Sequence, residues 1–167
     1  MLKLVKTPDP ILKQPAQDWL FETDKDLTAA KELEVDMVQL MIQSGGIGLA
    51  AQQVGILKRV FAIHLKDQVP FCMFNPTVVS YSKDSVEGEE GCLSFPDLWL
   101  PVKRYSSIAV EYFDRAGKKC TMELTGLDAR CFLHELDHLN GICFTDKVSQ
   151  LKLAFAIKRQ QKRKRNG

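Results

Sequence analysis

The sequence predicts an α+β fold in which short antiparallel strands surround a buried central helix, with a further helix before it and one at the C-terminus. Three observations predict it. The stretch Leu133-His134-Glu135-Leu136-Asp137-His138-Leu139 reads HExxH on an apolar background. The runs Ile108 to Phe113 and Lys118 to Leu124 alternate apolar and polar residues around Asp114-Arg115-Ala116-Gly117, a hairpin signal. Helical spacing of apolar residues recurs over Thr28 to Gln43 and again from Ser149 onward.

The HExxH stretch sits on a helix with its own boundaries. Thr125 followed by Asp128 resembles a capping-box start, and Asn140-Gly141 is a natural stop. At about 100° per residue, Leu127, Cys131, His134 and His138 share one face, while Phe132, Leu133, Leu136 and Leu139 cover much of the rest. A helix apolar nearly all round is a buried helix. Two histidines four apart lie roughly 6 Å apart along the axis, close enough to grip one metal ion. Glu135 beside them is placed to handle a proton on water.

A catalytic site of this kind takes three protein ligands and keeps one position open. The continuation His138-Leu139-Asn140-Gly141-Ile142-Cys143-Phe144 follows the metzincin pattern only in part, because Phe144 stands where a histidine is required. The remaining histidine, His64, alternates with apolar residues and reads as a surface or core side chain. Asp146 is the nearest acidic candidate downstream. The third ligand is therefore sought upstream, at Cys92 in Glu89-Glu90-Gly91-Cys92-Leu93-Ser94-Phe95-Pro96. Cys143 is the competing thiol. It lies past the helix end, in a stretch expected to be a strand, so Cys92 is favoured.

Composition bounds the rest. The 167 residues are 45% hydrophobic, enough for one domain with a real core. No apolar run is long enough for a membrane span, and no secretory segment is expected at the start. Five cysteines, Cys72, Cys92, Cys120, Cys131 and Cys143, argue for a reducing compartment rather than a disulfide framework. Residues 1–167 are expected to form a single catalytic domain with a basic C-terminal helix over about 149–165.

Taken in order, residues 1–26 are irregular and proline-punctuated and should wrap the surface. The helix over Thr28 to Gln43 places Leu33, Met37, Leu40 and Met41 on one side and ends at Ser44-Gly45-Gly46. Gly46-Ile47-Gly48-Leu49-Ala50-Ala51-Gln52-Gln53 then lets backbone approach a ligand closely. A tight turn into a strand would explain the same glycines. The amide of Gln53 is a candidate donor to a developing oxyanion. Arg59 to Leu65 reads as a strand, and Val69 to Tyr81 as two short strands broken at Asn75-Pro76. The last helix presents Leu151, Ala154, Phe155 and Lys158 on a face. It carries Lys158, Arg159, Lys162, Arg163, Lys164 and Arg165. Removing these six from the 23 basic residues leaves 17 against 21 acidic ones, so the tail turns an acidic body into a chain of net charge +2. Such a run is either a solvated helix end or a dock for a polyanion.

The stretches Gly46-Ile47-Gly48-Leu49-Ala50-Ala51-Gln52-Gln53, Glu90-Gly91-Cys92-Leu93-Ser94 and His134-Glu135-Leu136-Asp137-His138 resemble, in order and spacing, the three motifs of the peptide deformylases. The resemblance covers most of the chain. It implies hydrolytic removal of the formyl group from N-formylmethionyl nascent peptides. It implies Cys92, His134 and His138 as metal ligands and Glu135 as acid/base. Gln53 and the Leu93 backbone N–H would form the oxyanion hole. Substrate would be held by Ile47, Gly48, Gly91, Leu127 and Cys131, with the methionine pocket at Ile47, Leu127 and Cys131. Arg104 matches a basic position beyond the second motif. The implied cofactor is one divalent ion, Fe(II) by resemblance; zinc, nickel and cobalt are also compatible with a mixed N/S site. Leu133 and Trp99 depart from the family, where glutamine and arginine are frequent, and should alter contacts around the site or peptide-side specificity.

The implied setting is a cytoplasmic, bacterial-type translation compartment, with an organelle or a virus-infected cell also compatible. The basic helix would then dock on the ribosome, and no membrane partner is expected. Two rival functions bracket this one. A metallopeptidase of another type needs a downstream third ligand. A nucleic-acid-binding module with a structural zinc needs a fourth, such as Cys143.

Overall fold

A computed structural model describes residues 2–166. Helix α1 (Asp24–Gln43) begins four residues before the periodicity does, because Thr23 and Asp26 form a reciprocal capping box. The Thr23 hydroxyl accepts from the Asp26 N–H at 3.3 Å, and the Asp26 carboxylate accepts from the Thr23 N–H at 2.8 Å. Ala30, Glu34, Met37 and Met41 make its buried stripe.

Five antiparallel strands form the main sheet: β1 (Gly48–Ala50), β2 (Val60–Ile63), β3 (Phe71–Tyr81), β6 (Ser107–Phe113) and β7 (Lys119–Thr125), in spatial order β1-β2-β3-β6-β7. Strands β4 (Ser85–Cys92) and β5 (Phe95–Tyr105) form a separate two-stranded ribbon. Strand β2 is buried at every position. Its alternate residues feed two cores: Val60 and Ala62 meet Met37 and Met41 of α1, whereas Phe61 and Ile63 meet Phe132 and Leu133 of the HExxH helix. A period-2 strand apolar on both sides is what a sheet covered on both faces requires. The rings of Phe61 and Phe132 meet edge-on at 5.3 Å.

Strand β3 is one strand of eleven residues, not two short ones. The expected break at Asn75-Pro76 is a bulge, with a register shift between Phe74 and Thr77. Proline cannot donate to the ladder, and Asn75 takes a left-handed φ of 47°, which asparagine tolerates better than most residues. Its side chain accepts from the Trp19 N–H at 2.7 Å and donates to the Trp19 carbonyl at 2.8 Å, pinning the N-terminal segment. Strand β5 is also eleven residues long, so the expectation of uniformly short strands is corrected.

The expected hairpin is β6 and β7, in register from Ser107 opposite Thr125 to Phe113 opposite Lys119. It leads directly into α2 (Gly126–Leu139), which carries HExxH. The capping box expected at its start is absent. Thr125 caps with its backbone alone, and the Asp128 carboxylate accepts from the Lys66 N–H instead. The stop is as expected: Gly141 has φ 73°, and its N–H reaches the His138 carbonyl.

Cys143 is not in a strand. It precedes a single 3₁₀ turn, Phe144–Lys147, and its thiol donates to the Leu12 carbonyl. Helix α3 (Gln150–Asn166) packs on β5 through Leu153 and Ala156, and Gln160 Nε2 donates to the Pro96 carbonyl at 2.6 Å. The face expected from spacing, with Leu151 and Phe155, is the outer one; both side chains are exposed. The partly apolar bed for Leu153 and Ala156 lies on the β4–β5 ribbon, which the sequence did not announce. Among the described residues, no helix is long and apolar enough to cross a membrane.

Candidate metal centre and active site

Cys92 closes β4 at a two-residue turn, Leu93-Ser94, while His134 and His138 stand one turn apart on α2. The ribbon and the helix thereby bring three donor atoms within 4.8 Å of one another. His138 Nε2 lies 3.4 Å from Cys92 Sγ. Tetrahedral bonds of zinc-like length would set such a sulfur and nitrogen about 3.6 Å apart. The donors therefore fit a divalent ion in spacing as well as in kind. Among the described residues, Cys143 and Asp146 lie outside this cluster. Asp146 pairs with Lys13, and the Cys143 thiol donates to the Leu12 carbonyl, so both are engaged elsewhere.

The electrostatics around the cluster call for a cation. Glu90 accepts from His134 Nδ1 at 2.9 Å, leaving the other ring nitrogen for a metal, as an orienting carboxylate should. Arg104 grips Glu90 through Nε at 2.9 Å and Nη2 at 3.0 Å, and Arg130 adds Nη1 at 2.8 Å. Burial pushes the Glu90 carboxyl up, but His134 and Arg104 outweigh it and hold it at about 2. Arg104 also donates from Nη1 to Asp137, which Lys147 neutralises from the solvent side at 3.1 Å. Burial presses the charged form of His134 down, yet Cys92 and Glu90 raise its pKa to about 10. A proton on His134 and a metal ion at the cluster answer the same surplus of negative partners. Burial, with His134 and Arg104 nearby, holds His138 well below the usual imidazole range, so it stays neutral. A neutral imidazole is the form that ligates.

Two polar side chains flank the cluster. Glu135 is buried at 4% exposure, and burial raises its carboxyl to about 7 although His134 pulls the other way. Its Oε2 has no hydrogen-bond partner within the protein. Gly48 lets β1 press against it, since a Cβ at Gly48 would lie 2.3 Å from Glu135 Oε1 and 2.9 Å from Cys131 Sγ. Gln53 lies against Cys92, with Oε1 accepting from the Ala50 N–H at 2.8 Å and Nε2 at 3.4 Å from Cys92 Sγ. Leu93, whose N–H is the second expected oxyanion donor, follows Cys92 in the turn.

The expected substrate residues are partly gathered. The Cys131 thiol, raised well above its ordinary range by burial, donates to the Ile47 carbonyl at 3.4 Å. Ile47 is 43% exposed, and Leu127, one turn before Cys131, is 64% exposed. Such large apolar side chains open to solvent beside a polar centre form a surface that can receive an apolar group. Gly91 lies under the Trp99 ring, where a Cβ would sit 3.1 Å from the indole. Trp99 is outward and exposed, whereas Leu133 faces the core of the main sheet.

Sequence reasoning assigned no role to Glu90, Ser94, Arg130 or Asp137. The signal was legible: Asp137 is an acid between an apolar residue and a metal-ligating histidine, and Glu90 is an acid two residues before Cys92. A buried acid demands a cation, and Arg104 was the singled-out base without a partner.

Comparison with known proteins bears on the whole chain. The family model described as Polypeptide deformylase matches residues 1–154. A peptide deformylase of Rhizobium meliloti (strain 1021) is 42% identical over 161 residues, covering 93% of this chain and 90% of that protein. The structure of a peptide deformylase from Synechococcus elongatus in complex with actinonin superposes with a TM-score of 0.84 at 36% identity, covering 96% of this chain and 88% of that one. The peptide deformylase of Legionella pneumophila gives a TM-score of 0.87 at 34% identity, covering 99% of this chain and 96% of that one. With the whole α+β architecture shared and the match running from the N-terminus into α3, the chain belongs to the peptide deformylase family and is a metal-dependent hydrolase.

Proposed function

We propose that residues 1–167 act as a single catalytic domain that removes the N-formyl group from formyl-methionine at the start of newly made polypeptides, releasing formate. One observation carries the reading: the Cys92, His134 and His138 donors are gathered with a buried carboxylate, Glu135, next to His134 on α2 and a fixed amide, Gln53, against Cys92. That is the constellation hydrolysis of an amide needs, with a proton carrier and an oxyanion donor both beside the metal ligands.

A divalent ion held by Cys92, His134 and His138 would supply a Lewis acid and lower the pKa of water, Fe(II) being the ion the family resemblance favours and zinc, nickel or cobalt the alternatives. Glu135 takes a proton from the attacking water and returns it to the leaving amine, so water and the formamide become formate and a free amino group. Gln53 Nε2 and the Leu93 N–H donate to the formyl oxygen as charge builds on it. Gly48 and Gly91 would contact the peptide through their main-chain polar groups, their Cα faces being taken by Glu135 and Trp99, and Ile47, Leu127 and Cys131 receive the unbranched thioether side chain.

Formyl-Met peptides are expected to be cleaved far faster than either formyl-Asp or N-acetyl-Met peptides. An acidic side chain has no partner at an apolar rim, and the extra methyl of acetyl crowds the centre. Steady-state rates on the three substrates test this, and equal rates for formyl and acetyl would refute it. The same assay with an unformylated peptide separates the deformylase from a metallopeptidase.

The basic end of α3 supports a second element of the proposal, docking on ribosomal RNA in a cytoplasmic, bacterial-type translation compartment. The helix is anchored by Leu153, Ala156 and Gln160, which leaves its outward side free for a polyanion. Replacing Lys158, Arg159, Lys162, Arg163, Lys164 and Arg165 by glutamine should leave hydrolysis of short peptides unchanged. Co-sedimentation with ribosomes should weaken, and its steep salt dependence should flatten. Unaltered co-sedimentation would leave a solvated helix end.

A further inference from the structure

We propose that Ser94 is a positioning residue for the hydrolysis, holding the Gln53 amide at the angle from which it donates to the oxyanion. The inference rests on the oxyanion role proposed for Gln53. It begins with hydrogen-bond polarity. The Val5 carbonyl can only accept, and Ser94 Oγ lies 2.8 Å from it, so the single hydroxyl proton of Ser94 is committed there. Ser94 Oγ must then be the acceptor toward Gln53 Nε2, 3.1 Å away. At the other end of the amide, the Ala50 N–H can only donate, so the atom facing it at 2.8 Å is Oε1. Both ends of the amide are therefore assigned by their partners. One Nε2 proton is spent on Ser94, and the second is left for the side where Cys92 Sγ lies at 3.4 Å.

The anchor for this relay is itself fixed. The Val5 N–H donates to the Gln53 carbonyl at 2.8 Å, and the Thr7 N–H donates to the Ser94 carbonyl at 2.9 Å. The N-terminal segment thus stitches the first motif to the second, and the Val5 carbonyl is a stationary acceptor. Ser94 is 0% exposed and Gln53 2%, so water is poorly placed to replace a lost hydroxyl.

Without the Ser94 hydroxyl, the Gln53 amide keeps the Ala50 N–H and the long contact to Cys92 Sγ, and has more freedom about its last torsion. The charge it serves develops only in the transition state, so the loss should fall on kcat and spare KM. Ser94→Ala should lower kcat on a formyl-Met peptide by about 10-fold or more with KM within about two-fold, at unchanged metal content and Tm. Ser94→Thr, which restores the hydroxyl, should recover most of the rate. In the zinc-loaded protein, exchange of the Gln53 Nε2 protons measured by NMR should speed up several-fold in Ser94→Ala. This readout needs no turnover and stands if the threonine is too large for the site. Gln53→Ala is run beside them. If it lowers kcat and Ser94→Ala does not, the positioning role falls while the oxyanion role stands. If Gln53→Ala is itself neutral, both fall. A kcat loss that tracks lost metal or lowered Tm, or one that appears in KM alone, also overturns the proposal.

Discussion

Glu135→Gln is expected to keep close to one metal ion per chain and to lose roughly 10²–10⁴ in rate per bound metal, the range of a positioned acid/base. The substitution keeps shape and polarity and removes the basic site. The site is tight, because Gly48 is pressed against this carboxylate, but an amide has nearly the same outline. Substrate affinity should change little, since Ile47, Leu127, Cys131 and Gln53 are untouched. The competing role is a structural carboxylate tying α2 to a neighbour. The structure argues against it: beyond the Ala50 N–H the Glu135 carboxylate leaves Oε2 without a hydrogen-bond partner, whereas the carboxylate that does tie elements together, Glu90, makes contacts to Arg104, Arg130 and His134. A structural role predicts lower Tm and lost metal with the rate per metal retained. A value within a few-fold of the parent would remove Glu135 from the chemistry.

Cys92→Ala should abolish tight metal binding and activity together, while Cys143→Ala leaves both nearly intact. Loss of an outer partner of a ligand typically costs 10–100-fold, roughly, in affinity, and removing one of three ligands should exceed that. The two histidines alone would remain, with Glu90 still oriented on His134. Cys143, by contrast, hydrogen-bonds the Leu12 carbonyl outside the cluster, so its loss trims packing and nothing else. Metal content of the two purified variants decides the matter. A fully loaded Cys92→Ala protein would overturn the ligand assignment.

The parts of the fold legible in the sequence are those where one local rule dominates. The HExxH helix announces itself by apolar residues on nearly every side, and the β6–β7 hairpin by strict alternation and an Asp-Arg-Ala-Gly turn. The β4–β5 ribbon could not be read that way. Strand β4 carries two glycines and three glutamates, and β5 carries Pro96 and Pro101, compositions that argue against strands. Their pairing is set by tertiary contacts. The same reason hid the inward face of α3, because the bed it packs on belongs to that ribbon. At α2, the expected capping box lost Asp128 to a loop N–H distant in sequence. At the metal centre, the ligand types and the flanking Glu135 and Gln53 were legible from residue chemistry and family resemblance. The orienting network was not, because it joins Glu90, Arg104, Arg130 and Asp137 across three elements.

Arg130 has a consequence for how this protein can change. Its guanidinium donates to the carbonyls of Val86 at 2.7 Å, Gly88 at 3.2 Å and Val102 at 2.7 Å, besides the Glu90 carboxylate. A carbonyl looks the same whatever side chain its residue bears. The helix therefore reads the ribbon by its main chain, and the identities of Val86 and Glu87, both exposed, are left out of the reading. These positions are free to drift, or to be redesigned for a new surface, without displacing Cys92 from the two histidines. Gly88 is the exception: a Cβ there would lie 2.9 Å from a guanidinium that four bonds hold in place. The centre is thus insulated from variation at the outer positions Val86 and Glu87, and the toll for that freedom falls on Gly88, with Glu90 and Gly91 held for reasons of their own.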